Sequence, residues 1–254
     1  MKQTLQAQIR TWLYDAYAIY RQKPVLVIAL LGFSAGLPYL LVFSTLTAWL
    51  RDVGVERTTI GFFAWVGITY SIKVFWSPVV DRVRLPMSKH FGQRRSWILL
   101  GQVGIATGLI LMSVVDPINS LIVIAVAALL VAFSSATQDV ALDAFRIESA
   151  AEELQGAMSA ADIFGYRLAL LMAGAGALYI AEFSNSTIAY LSMAVLMLIG
   201  VFAIFWADEP ERASVEERNE IELELVDKIM GRPMNMASRS PWQRWLYGAV
   251  ICPY

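Results

Sequence analysis

The sequence predicts an all-α membrane protein, a bundle of six spanning helices followed by the start of a seventh. Three observations carry that prediction. Of the 254 residues, 57% are hydrophobic and only 16% charged, whereas soluble domains hold about 25% charged residues. The apolar residues gather in six runs, each near the ~20 residues that cross a ~30 Å hydrocarbon core. Lys and Arg then alternate between loops. Sixteen lie before the first run, between the second and third, between the fourth and fifth, or after the sixth, and the other loops hold only Arg51 and Arg57. This bias orients the N-terminus and the segment after the sixth run toward the cytoplasm. A single cysteine, Cys252, and a single histidine, His90, exclude an intramolecular disulfide, a His-based zinc site and a Cys/His nucleophile. The basic clusters flank apolar runs, where topology explains them, so no nucleic acid, metal or cofactor is implied.

Taken in order, residues 1–23 read as an interfacial amphipathic helix, with Ile9, Trp12, Leu13, Ala16 and Tyr20 at helical spacing. They lack the early apolar core and small-residue cleavage site of a signal peptide. The six-helix domain covers residues 24–207, with spans at about 25–49, 58–80, 97–115, 121–142, 156–181 and 188–207. Gly32, Gly36 and Pro38 predict a bend in the first span. Gly174 and Gly176 among alanines predict a close helix approach in the fifth. Residues 208–241 turn charged and read as a cytoplasmic linker carrying a surface helix, its apolar stripe being Ile221, Leu225 and Ile229. Residues 242–254 open another apolar run, too short to cross a bilayer, and are expected to be the start of a seventh helix.

Ionisable residues inside spans are costly and are therefore functional candidates. Ser134 to Arg146, SSATQDVALDAFR, drops Gln138, Asp139 and Asp143 into the fourth span, with the two carboxylates on one helix face. At ~1.5 Å per residue, Asp139 falls in the cytoplasmic third of the bilayer and Asp143 at its boundary. Lys73 in the second span and Asp162 in the fifth fall at depths similar to Asp139, and Arg167 near the membrane centre. The expected arrangement is mutual pairing of these cations and carboxylates around a wet cavity. Structural ion pairs that lock the bundle are the plainer alternative, although buried pairs are an inefficient source of stability. Tyr70, one turn before Lys73, Tyr166 beside Arg167, and Gln102 in the third span supply hydrogen-bonding tips. Packing is the competing reading for each.

The loop after the second span, WSPVVDRVRLPMSKHFGQRRSW, places Asp81 and Arg82 ahead of Gly92, Arg94 and Arg95. An acid at one helix end can meet basic residues and a neighbouring helix end to form a cytoplasmic gate, to which Asp143 and Arg146 would contribute. The pattern resembles the loop signature of the major facilitator superfamily, with Ser77 in place of the leading glycine and residues 85–91 as an insertion. GFSAGLPYLL, TIGFFAWVGITYSIKVFWSPVVDR, GQRRSWILL, SSATQDVALDAFR and GYRLALLMAG extend the likeness across most of residues 25–181, which together look like the AmpG-type muropeptide permeases.

That resemblance implies a two-half transporter of the bacterial inner membrane. It implies proton-coupled import of anhydromuropeptides for peptidoglycan recycling and, indirectly, β-lactamase induction. Arg167 and Lys73 would attract the solute's carboxylates; Tyr70, Tyr166, Gln138 and Gln102 would meet sugar or amide groups; Asp139 would carry the proton. Partners are then the muropeptide, protons, the bilayer and a C-terminal half that this sequence does not include, without which no transport is expected. Rival readings are a carrier of another anionic solute such as acetyl-CoA, a non-transporting membrane protein, and a membrane enzyme using Asp139 with Asp143. The last lacks any GxGD or DDxxD motif.

Overall fold

A computed structural model describes Tyr14, residues 16–149 and residues 152–209. Six helices in it are long and apolar enough to cross a membrane: α1 Lys23–Asp52, α2 Arg57–Phe75, α3 Gln93–Val114, α4 Leu121–Glu148, α5 Glu153–Phe183 and α6 Ser186–Trp206. Among the described residues there is no strand. The predicted interfacial helix falls mostly outside them, residues 16–20 being helical, and the predicted linker is described only at Asp208 and Glu209. The predicted seventh helix lies outside the described residues altogether.

α1 is the centre of the bundle. Pro24 sits in its first turn, where a missing N–H costs nothing, and Leu31, Leu37, Leu41 and Leu46 are fully buried. It packs most extensively on α5, and also on α6 and α4. Lipid is as apolar as the side chains, so close backbone approach rather than hydrophobic exclusion holds such helices together. Gly165 of α5 lies against the carbonyl of Ala29, while a Cβ on Gly36 of α1 would come within 2.7 Å of Tyr166 O. The close approach of α5 therefore occurs at Gly165. The sequence had pointed to Gly174 and Gly176, but a Cβ on Gly174 would reach only the Leu40 side chain, at 3.0 Å, and one on Gly176 only its own helix. A second seam joins α3 to α4, where Gly101 and Gly108 face Gln138 and Val131.

Four helices are irregular, α6 only through the turn at Met197 that separates Ser186–Leu196 from Leu198–Trp206. α1 carries a wide π-helical turn at Leu41–Thr45, and α5 carries another at Met172–Gly176. Such turns loosen the backbone ladder, and partners on other helices fill the gaps. Thr45 Oγ1 donates to Ala173 O at 2.7 Å, tying one wide turn to the other, and the buried Tyr190 hydroxyl of α6 donates to Leu41 O at 2.9 Å. α2 tightens into 3₁₀ turns at Phe63–Gly67 and Lys73–Phe75 and ends before Pro78, earlier than its predicted end near residue 80. Pro78 instead opens the short helix Ser77–Arg82. α4 runs to Glu148, beyond the predicted 142, because ALDAFRIE contains nothing that breaks a helix.

Candidate functional site

The central charged pair joins α2 to α4. Lys73 opens the second 3₁₀ turn of α2, and its Nζ stands 3.8 Å from Asp139 Oδ2, with the two side chains 31% and 24% exposed. Tyr70, Tyr166 and Asp139 lie within electrostatic range of one another, as does Tyr39 of α1. Tyr39 was not singled out in the sequence because a lone tyrosine after Pro38 reads as packing. The Tyr70 hydroxyl is buried near Ser135, short of hydrogen-bond geometry.

Asp162 goes elsewhere. Arg146 Nη1 reaches its Oδ2 at 3.3 Å and Ser159 Oγ at 3.4 Å, and Arg146 Nη2 lies 3.7 Å from Asp143. Arg146 thus staples the end of α4 to α5. Arg167 is exposed, and among the described residues no carboxylate stands within ion-pair distance of it. Helix phase explains the split. Five residues separate Asp162 from Arg167, a rotation of about 140° net, so they cannot share one face. The expected mutual pairing of all four ionisable groups is therefore replaced by Lys73–Asp139, Arg146–Asp162 and an Arg167 turned outward.

Gln102 and Gln138 form a separate node. Both are buried, and each Nε2 donates to Ser34 Oγ at 3.3 Å, while Ser34 donates to Leu31 O. Gly200 of α6 packs against the same serine, so α1, α3, α4 and α6 meet there. The two glutamine Oε1 atoms are buried without a partner.

At the end of the bundle holding the start of α3, Arg94 is 5% exposed and pairs with Asp81 and, at 2.7 Å, with Glu148 of α4. Its guanidinium serves two acids at once, which a planar fork allows. The Arg94 backbone N–H donates to Glu209 Oε1 at 3.1 Å, so a carboxylate just beyond α6 caps the start of α3. Gly92, at φ +81, gives that carboxylate room. Arg95 does not join Asp81 but donates to Ile204 O at 3.0 Å, and Arg82 is exposed. Glu148, Glu209 and Ser34 carry no sequence signal beyond their position. At the opposite end a cavity of about 710 Å³ is lined by Trp49, Arg51, Asp52, Asp116 and Glu182, among others. It contains none of the predicted site residues.

An anion could therefore be met at Arg167, a proton held at Asp139, and a polar ring placed among the tyrosines. The sequence matches the Major Facilitator Superfamily over residues 28–252. It is 37% identical over 195 residues to a protein of Rickettsia conorii named putative transporter AmpG 4, a match covering 76% of this chain and 47% of that protein. To the anhydromuropeptide permease of Escherichia coli it is 36% identical over 193 residues, covering 76% and 39%. The chain spans less than half the length of these relatives. Six apolar helices, an Asp81–Arg94–Glu148 latch at the loop signature and the extended sequence match agree: this multi-pass membrane chain belongs to the Major Facilitator Superfamily.

Proposed function

We propose that the chain is the N-terminal half of a proton-coupled importer of anhydromuropeptides in the bacterial inner membrane, serving peptidoglycan recycling. The observation that carries this reading is Arg167. It stands about 21 Å into a helix about 46 Å long, exposed, with no carboxylate against it among the described residues. A cation at that depth is costly unless a partner or ligand meets it, and a muropeptide brings carboxylates of its own. Lys73, held by Asp139, stands on α2 to receive a second polar group. The names of the relatives supply the solute class.

Asp139 is the proton carrier in this reading. Desolvation disfavours the charged carboxylate and a neighbouring cation favours it, so a change of hydration or of distance to Lys73 as the halves rock would load and release a proton. The end bearing the latch faces the cytoplasm, and the same reading places the N-terminus there.

Uptake of labelled disaccharide–peptide into vesicles carrying the intact transporter tests all parts. Arg167→Ala should lower affinity by tenfold or more, about 1.4 kcal/mol. Asp139→Asn should remove the dependence of uptake on an imposed proton gradient. Unchanged uptake in both variants, or competition by acetyl-CoA but not by unlabelled muropeptide, overturns the assignment. Reporter fusions after residues 119 and 208 should report opposite sides of the membrane, with the second cytoplasmic.

A further inference from the structure

Beside the Lys73–Asp139 pair stands an aromatic cluster that the charges do not account for. Tyr39 of α1 is 42% exposed. Its ring lies 5.1 Å from that of Phe43 and 5.9 Å, nearly edge-on, from that of Tyr70, while Phe43 and Tyr70 are 6.1 Å apart. Neighbouring elements fix these positions. A Cβ on Gly67 would press to 3.2 Å on the Phe43 ring, so the glycine leaves room for that ring against α2. Phe43 itself belongs to the wide turn Leu41–Thr45, whose Leu41 carbonyl is held by Tyr190 and whose Thr45 hydroxyl is bound to α5. Tyr70 turns its hydroxyl inward, buried, and so braces Tyr39 from behind. Tyr39 alone of the three keeps a large accessible surface.

Electrostatic range links Tyr39 to Tyr70 and Tyr166, and both of those to Asp139. Phenol rings from α1, α2 and α5 thus share one neighbourhood with a carboxylate and an ammonium. An accessible ring braced by two others offers a flat apolar face with a polar rim. Carboxylates and phosphates gain little from such a face, and the Asp139 carboxylate that an organic cation would need is already paired with Lys73. A saturated ring with an apolar C–H face and hydroxyls at its edge fits both parts.

We infer that Tyr39, braced by Phe43 and Tyr70, seats a pyranose ring of the transported solute, with Asp139 accepting from a ring hydroxyl and Lys73 donating to an N-acetyl carbonyl. The inference rests on the sugar-bearing solute of the preceding reading and adds the subsite that would recognise its sugar.

The test uses the intact transporter in proteoliposomes with labelled disaccharide–peptide, competed by the peptide-free disaccharide. Tyr39→Leu should raise KM about tenfold, the loss of one good ring contact, and should raise the disaccharide concentration needed for half-maximal competition by a similar factor. Tyr39→Phe should keep both near wild type, because the ring face rather than the hydroxyl does the seating. A Leu variant with unchanged competition overturns the inference, and so does a Phe variant as impaired as Leu. Should Tyr39→Leu fail to fold, nitration of Tyr39 in the wild-type protein decides. Disaccharide should slow it several-fold and free peptide should not, and absence of protection overturns the subsite. Competition by adenosine in place of the disaccharide also overturns it. A wild-type transporter that takes up no sugar-bearing solute refutes the preceding function itself, whereas a competent one indifferent to Tyr39 refutes only this subsite.

Discussion

Lys73 and Asp139 show how much of a site a single contact can define. Each is under one-third exposed, so removing one leaves the other partly desolvated and unmatched. Lys73→Met is expected to lower stability by about 1–3 kcal/mol, reduced from the fully buried case by the residual exposure. Lys73→Met combined with Asp139→Asn should recover much of that loss, as read by melting temperature in detergent. If the double variant melts with the single one, the pair contributes no mutual stabilisation. Arg94 differs, because one fork serves Asp81 and Glu148 together. Arg94→Lys keeps the charge but cannot span both acids, and uptake should fall while the protein still inserts. Some of this was legible. The D-R…R-R spacing placed an acid and a base at one helix junction, but it could not choose between Arg94 and Arg95. Adjacent residues on a helix differ by about 100°, and only the packed bundle shows that Arg95 turns to the end of α6. Gln102 and Gln138 read as solute contacts because polar residues in spans attract that reading. Where they sit was not legible: their helix phase puts both beside Ser34, on faces that glycines draw together.

Among the elements, the six spans were readable because length and apolar content suffice to mark a membrane crossing. Their irregularities were not. No residue in LVFST or MAGAG announces a wide turn, and the hydrogen bonds that accommodate those turns come from residues distant in sequence. The α1–α5 seam is similarly a property of two elements together. Gly165→Ala would set a methyl group against the Ala29 carbonyl, and backbone cannot yield as a side chain does. The expected cost is about 1–3 kcal/mol, measured as a lower melting temperature, whereas Gly176→Ala, with only its own helix nearby, should be tolerated. Thr45→Val removes the donor to Ala173 O and should cost about 0.6 kcal/mol, the average for hydrogen bonds between membrane helices, and no more than about 1.7 kcal/mol.

For the whole molecule, alternation of loop charge predicts which helix ends share one side of the membrane. In the structure Lys23 at the start of α1 meets Asp208 beyond α6 at 2.5 Å, and the start of α3 meets the end of α4, so those four ends lie together. Burial is unevenly shared. In their most apolar windows α1 is 67% buried, α2 17% and α5 22%, so α2 and α5 present long apolar faces outward. Arg167 stands exposed on α5, whereas Lys73 of α2 is turned to Asp139 of α4.

The paired wide turns have a consequence for rotation about the helix axis. A single such turn acts like one inserted residue, and one residue advances an α-helix by about 100°. Everything after Thr45 on α1 is therefore turned relative to the helical wheel drawn from residues 23–40, and everything after Gly176 on α5 is turned by a similar amount. Two helices that touch at both ends of their crossing cannot shift phase separately without one swinging its apolar face away. The Thr45–Ala173 bond sits where both shifts occur. Deleting one residue from Leu41–Thr45 should therefore close the wide turn into regular α-helix and leave the following half in its present phase, at the cost mainly of the Thr45–Ala173 bond. Deleting one residue from the regular stretch before it should instead turn one half of α1 by about 100° against the other and lower the melting temperature much further.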